Sequence, residues 1–220
     1  MLINRKYSYY FKLIGSFWIT SFASEIEYRM NFFVEILSVI GNLLGSVFVL
    51  QIFYSNNNSL GGWSWYSALM ILGTYLILEG FTISILQPNL SRIVRHVQNG
   101  TLDFILLKPI DTQFWLSTRR ITPWGIPSVL LGFALIIYSF IKNRVILDLV
   151  NIFFSLVIFL SSLIILYSLW FILASTSIWF VKVWNASEVL RSVLVASRYP
   201  VYAFPPILRS IFTFVLPLAF

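Results

Sequence analysis

Four apolar stretches, residues 32–53, 66–86, 121–141 and 149–181, leave this chain one kind of solvent for most of its length. A hydrocarbon core about 30 Å thick is crossed by roughly 20 apolar residues rising about 1.5 Å each, and inside it every backbone N–H and C=O must be satisfied within the segment. Each stretch is long enough, so the sequence predicts an all-α integral membrane protein. The fold class is therefore a polytopic bundle of about five to six transmembrane helices with interfacial amphipathic helices. Composition agrees: 59% of residues are apolar, 10% are charged and the mean hydropathy is +0.86, far from the balance of a soluble domain. No polar segment is long enough to fold separately, which makes 1–220 a single membrane domain.

The formal charge of +7 is not a nucleic-acid footprint, because the basic residues lie in short loops beside apolar spans, where orientation and anionic membrane lipid account for them. The absence of Cys excludes disulfides, thiolate metal sites and Cys nucleophiles. Lys12 interrupts the apolar N-terminal region and no small-residue cleavage site precedes the first span, so the N-terminus does not read as a signal peptide. Arg5, Lys6, Lys12 and Arg29 precede the first span, the connection 54–65 carries no charge, and Arg92, Arg95, Lys108, Arg119 and Arg120 lie in 87–120. The positive-inside rule places the N-terminus and 87–120 in the cytoplasm, in a multi-pass protein of the cell (inner) membrane. Lys142 and Arg144 fall on the opposite side and dissent.

The fourth stretch is longer than one crossing needs and too short for two, and reads as one long or tilted helix. Asn185 with Glu188 three residues on is a helix start. The fifth helix, within 186–220, is compromised by Arg191, Arg198, Pro200, Pro205 and Pro206, so it is expected to be short and buried against protein. Residues 207–220 are too short to cross and read as re-entrant or interfacial. In the N-terminal segment 1–31, Tyr7, Tyr10, Phe11, Ile14, Phe17 and Trp18 recur with helical period opposite Lys6, Ser8, Lys12, Ser16 and Thr20, predicting an interfacial amphipathic helix. In 87–120, Leu90, Ile93, Val94 and Val97 form a second stripe opposed by Arg92, Arg95 and His96, with Asn99-Gly100 as a stop. This reads as a short basic helix between two spans, able to bind headgroups or to dock on a partner.

Within the spans, Glu35 and Glu79 are costly unless paired. Glu188 and Arg191 are three apart and can pair, and Arg198 repeats the face of Arg191 seven residues on. An internal ion-pair network is the structural reading, and proton or ion coupling its functional rival. Gly41 and Gly45 fit the small-xxx-small pattern of close helix approach and nominate the first span for an interface, within the subunit or between two.

Four segments carry a family resemblance. Glu27-Tyr28-Arg29-Met30-Asn31-Phe32 resembles the E-Y-R-x-N-F entry of membrane subunits of type-2 ABC (ABC-2) exporters, in the branch of viologen-exporter permeases. Gly100-Thr101-Leu102-Asp103-Phe104-Ile105-Leu106-Leu107-Lys108-Pro109 resembles that branch's G-T-L-D-x-x-L-x-K/R-P loop. Arg198-Tyr199-Pro200 and Leu216-Pro217-Leu218-Ala219-Phe220 are similar to its R-Y-P and P-L-A-F segments. The resemblance departs at the end, where family members continue through one more span, and the expectation is that missing residues or an unusual packing close the outer gate. It implies a permease that is not itself an enzyme, a second permease subunit in a homo- or heterodimer, and separate ABC ATPase subunits. Those would dock against the N-terminal helix, with Glu27, Tyr28 and Arg29 at its end, and the coupling loop 87–120, with Arg92, Arg95, His96, Gly100, Asp103, Lys108 and Pro109. The chain has no G-x-x-x-x-G-K-S/T phosphate loop, so ATP and Mg would sit on the partner and no cofactor on this chain. The rival functions are a secondary transporter driven through Glu35 and Glu79, and an intramembrane lipid-modifying enzyme using His96 and Asp103.

Overall fold

A computed structural model describes residues 2–26, 29–55, 62–143, 148–180 and 186–215. The described residues form helices in the order α1 (Leu2–Ile26), α2 (Arg29–Ser55), α3 (Trp65–Phe81), α4 (Gln87–Gln98), α5 (Leu102–Leu106), α6 (Thr112–Thr118), α7 (Ile126–Asn143), α8 (Leu149–Ser175), α9 (Ala186–Ala196) and α10 (Pro206–Ser210). Four helical segments among them are long and apolar enough to cross a membrane: Phe33–Ser55, Trp65–Gln98, Pro123–Asn143 and Leu149–Ile178. The fifth helix, α9, has 11 residues and rises only about 16 Å, too short to cross; the burial against protein expected of it is not met, since none of its described side chains is buried and Arg191, Ser192 and Val195 are exposed.

The basic helix of 87–120 is not a separate element. α3, a π-turn over Thr82–Leu86 and α4 form one rod of 34 residues, about 51 Å long, so its last turns project past the hydrocarbon at the end bearing the basic residues. Pro88 would ordinarily break such a rod, because it brings no N–H to the carbonyl of Ser84. Here the break is filled from another part of the chain. The Thr122 N–H donates to the Ser84 carbonyl at 3.0 Å, and the Thr122 hydroxyl donates to the Ile83 carbonyl at 3.0 Å. Buried Asn89 donates through Nδ2 to the carbonyls of Ile85 and Arg120, both at 2.7 Å, and accepts the Arg120 N–H at 2.9 Å. Gln87 N–H reaches back five residues to Thr82, the π-turn that absorbs the misfit. The rod stops where the sequence places the stop: Gly100 takes φ +64°, its N–H bonds to the Val97 carbonyl and that of Thr101 to the His96 carbonyl, a Schellman end.

In lipid, apolar contact between helices gains little over contact with acyl chains, so close backbone approach decides which helices pair. α3 and α7 pair antiparallel through two facing glycine pairs, Gly73 with Gly132 and Gly80 with Gly125. A Cβ added to Gly73 would lie 2.9 Å from the Gly132 carbonyl oxygen, and one added to Gly80 would lie 2.5 Å from that of Gly125. The sequence reading nominated Gly41 and Gly45 instead, yet a Cβ on either meets nothing within 4 Å. They make no close helix contact among the described residues.

Two clusters complete the packing. One gathers Leu50 with Ala68, Leu69, Leu72, Tyr75 and Leu76, backed by Leu131 and Leu135 of α7. The other, toward the basic end, joins Leu86, Leu90, Ile93, Ile105, Leu116, Leu166, Trp170 and Ala174. Leu194 of α9 touches both. α8 turns Phe153, Ile158 and Ile164 outward, as a lipid-facing helix does. α1 presents Tyr10, Ile14, Phe17, Trp18 and Glu25 inward, but Phe11, expected on that face, is 73% exposed, because the inward face is displaced toward Ser21 and Glu25.

Candidate functional site

At the basic end, Trp115 of α6 is the hub that the sequence reading missed. The His96 ring meets it edge-on at 6.1 Å, Lys108 Nζ lies 5.4 Å from its centroid and the Arg119 guanidinium 5.2 Å. His96 Nδ1 is 2.8 Å from the Thr101 hydroxyl. His96 therefore braces the turn after α4 and is not offered as a free docking residue, nor paired with Asp103. Arg92 is half-buried and Arg95 exposed, so of the expected basic face Arg95 is the fully presented member. The presented part of the loop is instead α5 together with residues 107–109. Ile105 is buried and anchors the helix, while Asp103, Phe104, Leu106, Leu107, Lys108 and Pro109 are exposed, Leu107 at 81%. Gly100, at the Schellman end, sets the angle at which this tip leaves α4.

α1 lies against the same module. Tyr10 meets Phe114 edge-on at 4.6 Å, the Arg119 guanidinium stands 4.8 Å from the Phe17 ring centroid, and Trp124 Nε1 donates to Glu25 at 3.0 Å. Cation–π contacts of this kind are recognisable only once the chain is folded, since Phe17 and Arg119 are remote in sequence. Glu27 and Tyr28 lie outside the described residues. Arg29 begins α2, and its side chain, like that of Glu188, is outside the description.

Inside the bundle the structure brings together one polar group of four. Arg198 Nη2 lies 3.5 Å from Glu79 Oε1 and donates to the Tyr75 hydroxyl at 2.9 Å, Nη1 reaches the Ser46 hydroxyl at 3.5 Å, and the guanidinium stands over the Tyr75 ring at 4.7 Å. This ties α2, α3 and the turn after α9 at one point. It is the ion pair within 4 Å among the described residues, so the partner that the cost of a carboxylate in lipid demanded for Glu79 is Arg198. Arg198 does not share a helix face with Arg191, because α9 ends at Ala196 and Arg198 sits in the following turn. Arg191 is exposed and Glu35 half-buried on α2.

Helices long and apolar enough to cross a membrane, packed through glycines and joined by one mid-bundle polar group, with a polar module at one end, define a multi-pass helical membrane protein. Residues 40–220 match the family described as ABC-2 family transporter protein, and the chain belongs to that family. It is thus a permease component of an ABC transporter, a transport part and not a catalyst. No curated protein and no solved structure matches the chain.

Proposed function

We propose that this chain is the membrane-spanning subunit of an ATP-driven exporter of the viologen-exporter-like branch, working as a dimer of permease subunits above two separate ATPase subunits. The N-terminus and the basic end face the cytoplasm of a cell (inner) membrane, in accord with the positive-inside rule, and the ATPase subunits carry ATP and Mg. The observation that supports this reading best is the packing of α1 on α6 and the segment just after it, Tyr10 on Phe114, Phe17 on Arg119 and Glu25 with Trp124. The two elements to which the family resemblance assigns ATPase docking thereby form one surface. A push on that surface has a route into the bundle: α4 continues through the π-turn into α3, and α3 is locked to α7 by its glycines. Closure of an ATPase dimer on ATP would bias the permease between inward- and outward-open states through contacts that differ between them.

The test is purification of the tagged protein from its own cells in mild detergent. An ABC ATPase recovered in stoichiometric amount supports the proposal. Transport that persists in proteoliposomes without ATP or any ATPase overturns it in favour of ion coupling.

A further inference from the structure

The basic residues at the end of the rod are not used alike. Lys108 and Arg119 are stacked on Trp115, and Arg119 also on Phe17. The guanidiniums of Arg92, Arg95 and Arg120 have neither a ring nor a carboxylate within 4 Å among the described residues. Two of these three are brought together by the backbone. Asn89 accepts the Arg120 N–H and donates to its carbonyl, which fixes Arg120 against α4, and Arg92 stands three residues beyond Asn89, on the next turn of one face. Arg95 follows at the same spacing. The charges that bear on the Arg92 guanidinium are accordingly Arg120 and Arg95, like in sign, and Glu25, opposite. Glu25 is already held by Trp124 Nε1 at 3.0 Å, while Asp103 and Asp111 belong to α5 and the start of α6. Guanidiniums kept together with unspent donors repel one another unless an anion lies between them.

Their depth says where that anion comes from. The crossing segment of α7 begins at Pro123 and Thr122 is bonded to Ser84, so the hydrocarbon ends near Ser84 on the rod. Asn89, and with it Arg120, lies five residues further along, roughly 7 Å. That is inside the headgroup layer, which adds about 5–8 Å to the hydrocarbon on each side. Arg92 is about one turn beyond and reaches back into the same layer through its long side chain. From the same end the outward strip of Ile126, Leu130 and Phe133 rises along α7, a surface on which acyl chains can lie. A phosphodiester at that depth belongs to a lipid, and its oxygens match the guanidinium fork.

We propose that Arg92 and Arg120, with Arg95 at their outer edge, bind the headgroup phosphate of an anionic phospholipid in the leaflet on the basic side. The site uses neither the exposed tip at Leu107 nor the α1–α6 surface, so its test does not depend on the assignment of an ATPase. The full chain in non-ionic detergent is titrated with phosphatidylglycerol, phosphatidylcholine or the soluble headgroup glycerol 3-phosphate, and bound adducts are counted by native mass spectrometry. The first phosphatidylglycerol binds about tenfold more tightly than phosphatidylcholine, whose ammonium offsets its phosphate, a factor within the value of one hydrogen bond to a charged group. Glycerol 3-phosphate at the lipid concentrations does not bind. The double variant Arg92→Gln/Arg120→Gln brings the two lipids to within about twofold of each other, and it keeps the Asn89 bonds, which are made to the Arg120 backbone. Lys12→Gln/Lys108→Gln removes the same charge at the same end and leaves the preference in place. Equal affinity for the two lipids in the parent, a preference that survives the double Arg variant, an equal loss in the double Lys variant, which marks diffuse charge attraction only, or glycerol 3-phosphate binding as tightly as the lipid overturns the proposal.

Discussion

Replacing Asn89 by Leu tests whether the break at Pro88 is held by the distant segment that fills it. Asn89 is 3% exposed, has the same branched heavy-atom skeleton as Leu, and makes three hydrogen bonds, two of them to the backbone of Arg120. The substitution leaves the Arg120 N–H and carbonyl and the extra bond to Ile85 without their partner. Arg120 is exposed, so water reaches its freed groups and the loss is the net value of two hydrogen bonds, about 1–3 kcal/mol against the docked state of 120–122. Thr122→Val removes one hydroxyl bond while the Thr122 N–H still meets the Ser84 carbonyl, a loss of about 0.5–1.5 kcal/mol. Hydrogen exchange read by mass spectrometry over 118–123 should therefore quicken by about fivefold or more in Asn89→Leu and by less than that variant's factor in Thr122→Val, at about 1.4 kcal/mol per factor of ten. Exchange in Asn89→Leu that stays within about twofold of the parent, or a larger effect from Thr122→Val, would refute the reasoning.

Leu at Gly80 or Gly125 should lower folded yield in fluorescence-detected gel filtration, because overpacking costs about 1–3 kcal/mol even where neighbours yield, whereas Leu at Gly41 or Gly45 should leave the monomer's folding unchanged. Glu79→Leu and Arg198→Leu should each destabilise by about 1–3 kcal/mol, the cost of leaving the other member of a part-buried pair without its partner, and the double variant should melt higher than either single one. The chain has no native Cys, so Cys introduced at 57 should react with an impermeant maleimide in intact cells and Cys at 107 only after permeabilisation; the reverse pattern would invert the orientation. Leu107→Glu should reduce recovery of the ATPase more than the Arg92→Glu/Arg95→Glu pair does, because Leu107 stands at the exposed tip while Arg92 is half-buried, and equal recovery from both variants and the parent would move the dock elsewhere.

The spans were legible because their cause is local: an apolar run of sufficient length must be helical in lipid whatever it packs against. The stop at Asn99-Gly100 was legible for the same reason, since it needs only the positive φ that Gly supplies. The rod through Pro88 was not, because the groups that make it tolerable lie more than 30 residues away at Arg120 and Thr122. Nor was the α3–α7 pairing: seven residues separate Gly73 from Gly80 and Gly125 from Gly132, a repeat that invites no attention beside the better-known four-residue spacing of Gly41 and Gly45. Comparing the four apolar segments for matched glycine spacings would have found it. At the basic end the period of α4 placed Arg92, Arg95 and His96 opposite the apolar stripe, but period alone does not say what else covers that face, and Trp115 with Thr101 covers His96.

The contrast between the two ways in which this bundle is joined comes from its solvent. Gly73, Gly80, Gly125 and Gly132 bring α3 and α7 to backbone contact along their length, a fit that any sliding would destroy at several points together. α9 and the turn after it have no such fit; they join α2 and α3 through side chains alone, Leu194 and Tyr199 against the Leu50–Leu76 cluster and Arg198 through Glu79, Tyr75 and Ser46. Polar bonds within lipid average about 0.6 kcal/mol in double-mutant cycles, because each group finds some alternative partner when the helices separate. Arg198 also keeps an Nε that is buried without a hydrogen bond, so its donors are not all used in the observed arrangement. The α3–α7 pair is therefore the part of the bundle expected to move as a unit with α4, and the junction at Arg198 the part expected to yield. Crosslinking Cys at 67 and 143, where the α3 and α7 side chains meet at 3.5 Å, should leave transport unaffected, whereas a crosslink between positions 46 and 198 should stop it; transport that survived the second crosslink and failed with the first would reverse the assignment.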